Sequence, residues 1–179
     1  MVDKIKALAL ILERMDALYG RVLGLLERER EALIRLEYEQ LFSVVREKDE
    51  VLSAIRGLDR DRLRLQDFFA AVMDLGSEEV TLKTVGDNLV ASGDLEYGNR
   101  LLALRESLGK TVELVRQKVD RNKSFIEKSV ENLQKIAANL SAALTGKPGK
   151  QSRKSNVYDR NKRYEDTTAH KGAILEKRL

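Results

Sequence analysis

The 179-residue chain has no cysteine and no tryptophan, and only one histidine and one proline. Without cysteine there is no disulfide framework, no thiolate metal site and no cysteine nucleophile, and a reducing cytoplasm is the compartment that fits best. His170 stands alone, with no second donor at ligand spacing, so a histidine metal centre and a diiron site of paired Glu-x-x-His motifs both fall away. Aromatic residues make up 5% of the chain, which argues against a β-rich fold. Long apolar runs are missing too. The longest aliphatic stretch, Ala7 to Leu12, is cut by Glu13 and Arg14 and falls far short of the roughly 20 residues a membrane span needs. No small-residue cleavage pattern follows it, so it does not read as a signal peptide. The expectation is a soluble, cytoplasmic protein with no direct membrane insertion.

What the chain does have is charge and leucine. Residues 146–179 hold ten Lys or Arg against four Asp or Glu, leaving 23 basic and 25 acidic groups in residues 1–145. A near-neutral body thus precedes a basic tail, a pattern compatible with an anionic partner or with simple solvation of a chain end.

The body is organised by an apolar register with steps of three and four. Its first segment reads Ile5, Leu8, Leu12, Met15, Tyr19, Val22, Leu26, Glu29, Leu33, Leu36, the pattern of a long helix with a narrow seam. A second seam, Leu41, Val44, Lys48, Val51, Ile55, Leu58, Arg62, Leu65, Phe69, Val72, is out of phase with the first by one residue. A reversal near residues 37–40 explains the slip and makes residues 1–75 a long antiparallel helical hairpin; one continuous helix with a skip is the alternative. In the hairpin, pairing Leu36 with Leu41 makes facing positions sum to 77. Glu29 then falls opposite Lys48, a pair suited to fixing register. Arg62 falls beside Met15, within reach of Asp16.

Residues 76–93 read as a connector with a short helix, Val80 to Val90, started by Ser77 as N-cap and closed at Ser92-Gly93-Asp94. Gly76, Gly86, Gly93 and Gly98 are too scattered for a phosphate cradle. From Asp94 to Thr145 a third long helix is expected, with its seam at Leu101, Leu108, Val112, Val115, Val119, Asn122, Ile126, Ser129, Leu133, Ile136, Leu140 and Ala143. It could be roughly 75 Å long against about 50 Å for each hairpin helix. Its first part should complete a three-helix bundle or coiled coil. The rest would carry an apolar stripe with nothing in the chain to cover it, a helix-in-groove site or a dimer seam, unless the helix bends at Gly109 or Asn122. Gly146-Lys-Pro-Gly-Lys ends the helix, and residues 146–179 are expected to form a flexible basic tail carrying Tyr158 and Tyr164.

These features favour a binding protein over an enzyme. The carboxylates sit in ordinary helical charge patterns with basic partners three or four residues away, so no catalytic residue and no cofactor is expected. The body has no basic face interleaved with aromatics, which disfavours nucleic acid as a partner.

Several segments resemble the FlgN family of flagellar type III export chaperones over roughly residues 5–161. They are Leu33-Ile34-Arg35-Leu36 and Glu47-Lys48-Asp49-Glu50 in the hairpin, Asn122-x-x-x-Ile126-Glu127-x-Ser129 in the third helix, and Val157-Tyr158-Asp159 in the tail. The resemblance implies a cytoplasmic chaperone that binds the helical C-terminal region of unassembled hook-filament junction (hook-associated) proteins. It would prevent premature assembly and deliver them to the export gate. It further implies that Ile126, Val130, Leu133, Ile136, Leu140 and Leu144 contact the substrate protein, and that Tyr158 docks to the export-gate membrane protein. Such a chaperone should be a monomer or a weak dimer. The competing expectation is a homodimeric coiled-coil scaffold that uses the same stripe on itself.

Overall fold

The computed structural model describes residues 1–145. Among them the chain is all-α, with four helices: α1 (Val2–Arg35), α2 (Tyr38–Met73), α3 (Leu82–Ala91) and α4 (Leu95–Thr145). The central element is α1, which packs against both α2 and α4, while α3 packs on α4. The antiparallel register of α2 is visible in its cross-links: Arg28 Nη1 donates to Glu47 Oε2 at 2.9 Å, and Lys48 Nζ donates to Glu29 Oε1. In contrast, α4 runs parallel to α1. Arg100 reaches Glu13 at 2.6 Å, Ser107 reaches Asp16 at 2.8 Å and Lys118 reaches Glu27 at 2.7 Å.

The core is thickest at the end away from the hairpin turn. There Ile5, Leu8, Leu12 and Met15 of α1 lie buried with Leu65 and Phe69 of α2, Val85 and Leu89 of α3, and Leu101 and Leu108 of α4. Each such aliphatic side chain contributes about 1.5–3 kcal/mol by leaving water. Toward the turn the layer thins, since α3 does not reach it. Leu36 and Leu41 do not form a packed rung: Leu36 is 67% exposed and Leu41 is only half-buried. At the other end Val72 is exposed as well.

The reason lies in how α1 stops. Leu36 adopts a left-handed conformation (φ 59°, ψ 33°). Its N–H meets the Leu33 carbonyl at 3.4 Å and the Glu37 N–H meets that of Ala32 at 3.0 Å. These two bonds are a Schellman closure, usually built on glycine. A leucine there carries about 1–2 kcal/mol of steric cost, and the turn swings its side chain off the seam.

The connector departs from expectation. Ser77 does not cap the short helix; residues 77–79 form a turn, and the helix begins at Leu82 behind Thr81. The Thr84 N–H donates to Thr81 Oγ1 at 3.1 Å and the Thr81 N–H to Thr84 Oγ1 at 3.3 Å, a reciprocal capping box. Buried Gln66 of α2 holds the turn in place, with Nε2 donating to the carbonyls of Ser77 at 2.8 Å and Val80 at 2.7 Å. Arg62 does not reach Asp16. It pairs with Asp59 of its own helix at 2.9 Å and donates to Gln66 Oε1 at 3.3 Å, while Asp16 accepts from Ser107.

Two of the connector glycines turn out to be contact residues. A Cβ on Gly98 would lie 2.7 Å from Val90 Cγ2 and 2.9 Å from the Gly86 carbonyl, and one on Gly86 would lie 2.8 Å from the Leu102 side chain. These bare positions let α3 and α4 touch backbone to backbone.

Candidate partner-binding surface

Ser107 pairs with Asp16 and Lys118 with Glu27, in both cases 91 residues apart. At that offset the end of α1 lies level with about residue 127. The last roughly 18 residues of α4 therefore project past the other described helices, a segment of about 27 Å. Local sequence explains why it stays helical: the segment has no Gly or Pro, is rich in Ala, and carries a Glu131–Lys135 pair at 2.7 Å.

A polar node marks the base of the projection. Asn122, buried, donates from Nδ2 to the Leu26 carbonyl at 2.9 Å and to Glu29 Oε2 at 3.2 Å. The other Glu29 oxygen accepts from Lys48. One carboxylate thus ties α1, α2 and α4 together at a single level, and Asn122 is a bonded residue rather than a break in the seam. Nearby, the Arg30 guanidinium lies 5.5 Å from the Phe125 ring centre.

Beyond the node the stripe emerges into solvent. Ile126 is 41% exposed, Leu133, Ile136 and Leu140 lie between 60% and 66%, and Leu144 reaches 79%, while Val130 is half-buried. Charge is confined to one side of its start: Lys135 holds the Glu131 carboxyl below the usual carboxylate range, and residues 136–145 contain no charged side chain. Tyr158 lies outside the described residues.

Periodicity on the seams did not reveal a second exposed apolar group, at the hairpin tip. Ile34, Leu36, Tyr38 and Phe42 are 56–73% exposed. The readable signal was Tyr38, Phe42 and Val45, spaced at i, i+4 and i+7 but off the α1-facing seam.

The rest of the chemistry is sparse. A half-open cavity between α1, α2 and α3 has about 10 Å³, room for one water at most, and a shallow open groove of about 540 Å³ runs between α1 and α2 beside Leu18 and Leu58. Among the described residues no group of His, Cys, Asp and Glu is placed to hold a metal, and no helix is long and apolar enough to cross a membrane. What the arrangement offers is an extended apolar helix face, suited to a polypeptide.

Comparison with curated proteins and with solved structures gives no match. Comparison with family models gives one that covers residues 1–166, described as FlgN protein. With nearly the whole chain matched and an all-α fold built to present a helix face, this protein belongs to the FlgN family, whose general role is that of a flagellar export chaperone.

Proposed function

We propose that this chaperone acts in the cytoplasm on unassembled hook-filament junction proteins, gripping their helical C-terminal region along the α4 stripe formed by Ile126, Val130, Leu133, Ile136, Leu140 and Leu144. The bound segment is kept from assembling early and is handed to the type III export gate, with Tyr158 of the tail as the docking residue. The observation that carries this reading is the projection of α4 beyond the hairpin, with its apolar face exposed among the described residues. A cargo segment that is unfolded until bound would form its helix against that face, in the manner of coupled folding and binding.

The test is a binding titration of the full chain and the variant Leu133→Asp/Ile136→Asp against a purified hook-filament junction protein, with circular dichroism run in parallel. Both positions are exposed, so helicity and melting should be retained while binding is lost. Retained binding would refute the assignment of this surface. Sedimentation of the parent chain separates the scaffold reading, since a self-associating scaffold sediments as a dimer that the same two substitutions dissolve.

A further inference from the structure

From the hairpin tip, we infer that Ile34, Leu36, Tyr38 and Phe42 form a second wall of the cargo site, so that the cargo helix is held between α4 and the tip; this rests on the chaperone reading above. Area is the first argument. Complete burial of an aliphatic side chain removes roughly 60–120 Å², so the six stripe residues, already partly covered, supply about 250–450 Å². A stable specific interface needs about 800 Å² per partner. Phe42 and Tyr38, 73% and 64% exposed, add about 200–340 Å² at the usual 150–250 Å² per aromatic side chain. Ile34 and Leu36 add roughly another 100 Å². Only the two walls together approach the required size.

Placement is the second argument. The α1 residues that bond or stack on α4 include Glu13, Asp16, Leu26, Glu27, Glu29 and Arg30. Ile34 continues that helical face by steps of seven and four from Glu27 and Arg30, so it borders the point where α4 departs. Leu36 is the third argument. Its left-handed backbone would favour glycine, and its side chain is 67% exposed among the described residues, so little burial there offsets the strain. A strained, exposed leucine is accounted for by a partner that covers it.

The occupant is a helix of about five turns, apolar on its buried face and ending in a large apolar side chain against Tyr38 and Phe42. Its buried face is uncharged because the site is neutral. Residues 136–145 have no charge, and residues 30–46 balance three arginines with three glutamates. Binding should therefore change little with salt.

Three variants of the full chain, titrated against a purified hook-filament junction protein, test the inference. Tyr38→Ala/Phe42→Ala should weaken binding at least tenfold with no change in melting temperature. Leu36→Gly should weaken it severalfold while raising the melting temperature. Leu10→Ala, at a 47% exposed apolar residue near the opposite end of α1, should do neither. If the tip variants bind within twofold of the parent while Leu133→Asp/Ile136→Asp abolishes binding, the tip is no part of the site and the α4 assignment stands. If the α4 variant also binds normally, both readings fall. A tenfold loss of parental affinity between 50 and 500 mM salt would overturn the uncharged occupant.

Discussion

The perturbation that tests the most structure at once is charge reversal at Glu29. Its side chain is 11% exposed and that of Lys48 is 20% exposed, and its two oxygens serve Lys48 and Asn122 separately. In Glu29→Lys, two cations meet at a three-helix junction and the Asn122 N–H loses one acceptor. Breaking a fully buried pair costs about 3–5 kcal/mol; residual exposure of Lys48 lets it turn to water, so about 2–4 kcal/mol is expected. For a domain of this size that lowers the melting temperature by roughly 6–12 °C. Adding Lys48→Glu restores the attraction with its sign reversed, but a lysine at 29 cannot accept from Asn122. About 1 kcal/mol should therefore stay lost. Urea titration followed at 222 nm gives the four corners of the double-mutant cycle, with an expected coupling of at least about 1.5 kcal/mol. Identical midpoints for the single and double variants would show that the two residues do not fix the register.

Two further outcomes follow from the packing. Gly98→Ala should destabilise the fold by about 1–3 kcal/mol in the same urea assay, because its Cβ would meet the Gly86 carbonyl, a backbone atom that cannot rotate away; Gly109→Ala, where the new methyl meets open space, should stabilise by about 1 kcal/mol. Buried Tyr19 has its hydroxyl pushed up to about 12, first by desolvation and then by the Asp59 carboxylate, with Arg62 opposing. Between pH 10 and 12 the unfolded chain gives up a proton that the folded chain keeps, so stability falls as pH rises, by up to about 1.4 kcal/mol per unit. Below pH 10 this contribution is complete, and Tyr19→Phe should lack the alkaline slope.

How much of this was legible in the sequence depended on whether a signal was periodic or local. The seams of α1 and α2 could be read because each buried face repeats over ten turns, enough to reveal a phase slip of one residue. The projection of α4 followed from length and phase alone. Local features misled. Ser77 carries a good capping residue and two following glutamates, but Gln66 claims its carbonyl, and Thr81 makes the reciprocal bonds four residues later. That choice was settled by a glutamine on another helix. Arg62 looked like a cross-helix partner for Asp16, yet a carboxylate three residues back was nearer. The glycines at 86 and 98 have no meaning in isolation, only as two sides of one crossing. Leu36 fitted the seam by spacing, and only its left-handed backbone puts it outside.

An exposed helix of about 18 residues is marginal when it stands alone, chiefly because its first turn is costly to nucleate. Here α4 enters the projection already wound, after some nine turns packed on α1 and α3, so the nucleation cost is absent and each added residue needs only to propagate. Ala137, Ala138, Ala142 and Ala143 are strong propagators, and they leave a thin rim beside Leu140 and Leu144 that lets another helix come close. The wall is therefore ordered before any partner arrives. On the proposed reading the chaperone loses little conformational entropy on binding, and the ordering cost falls on the cargo segment. Such a division keeps the net affinity moderate even over a fully apolar contact, and moderate affinity is what a carrier needs if it must give up its cargo at the gate. Raising the helical propensity of the cargo segment, for example with helix-stabilising substitutions on its solvent face, should tighten binding through a slower off-rate without touching the interface. An unchanged off-rate would mean that the cargo is already helical before capture, and that the chaperone recognises a folded segment.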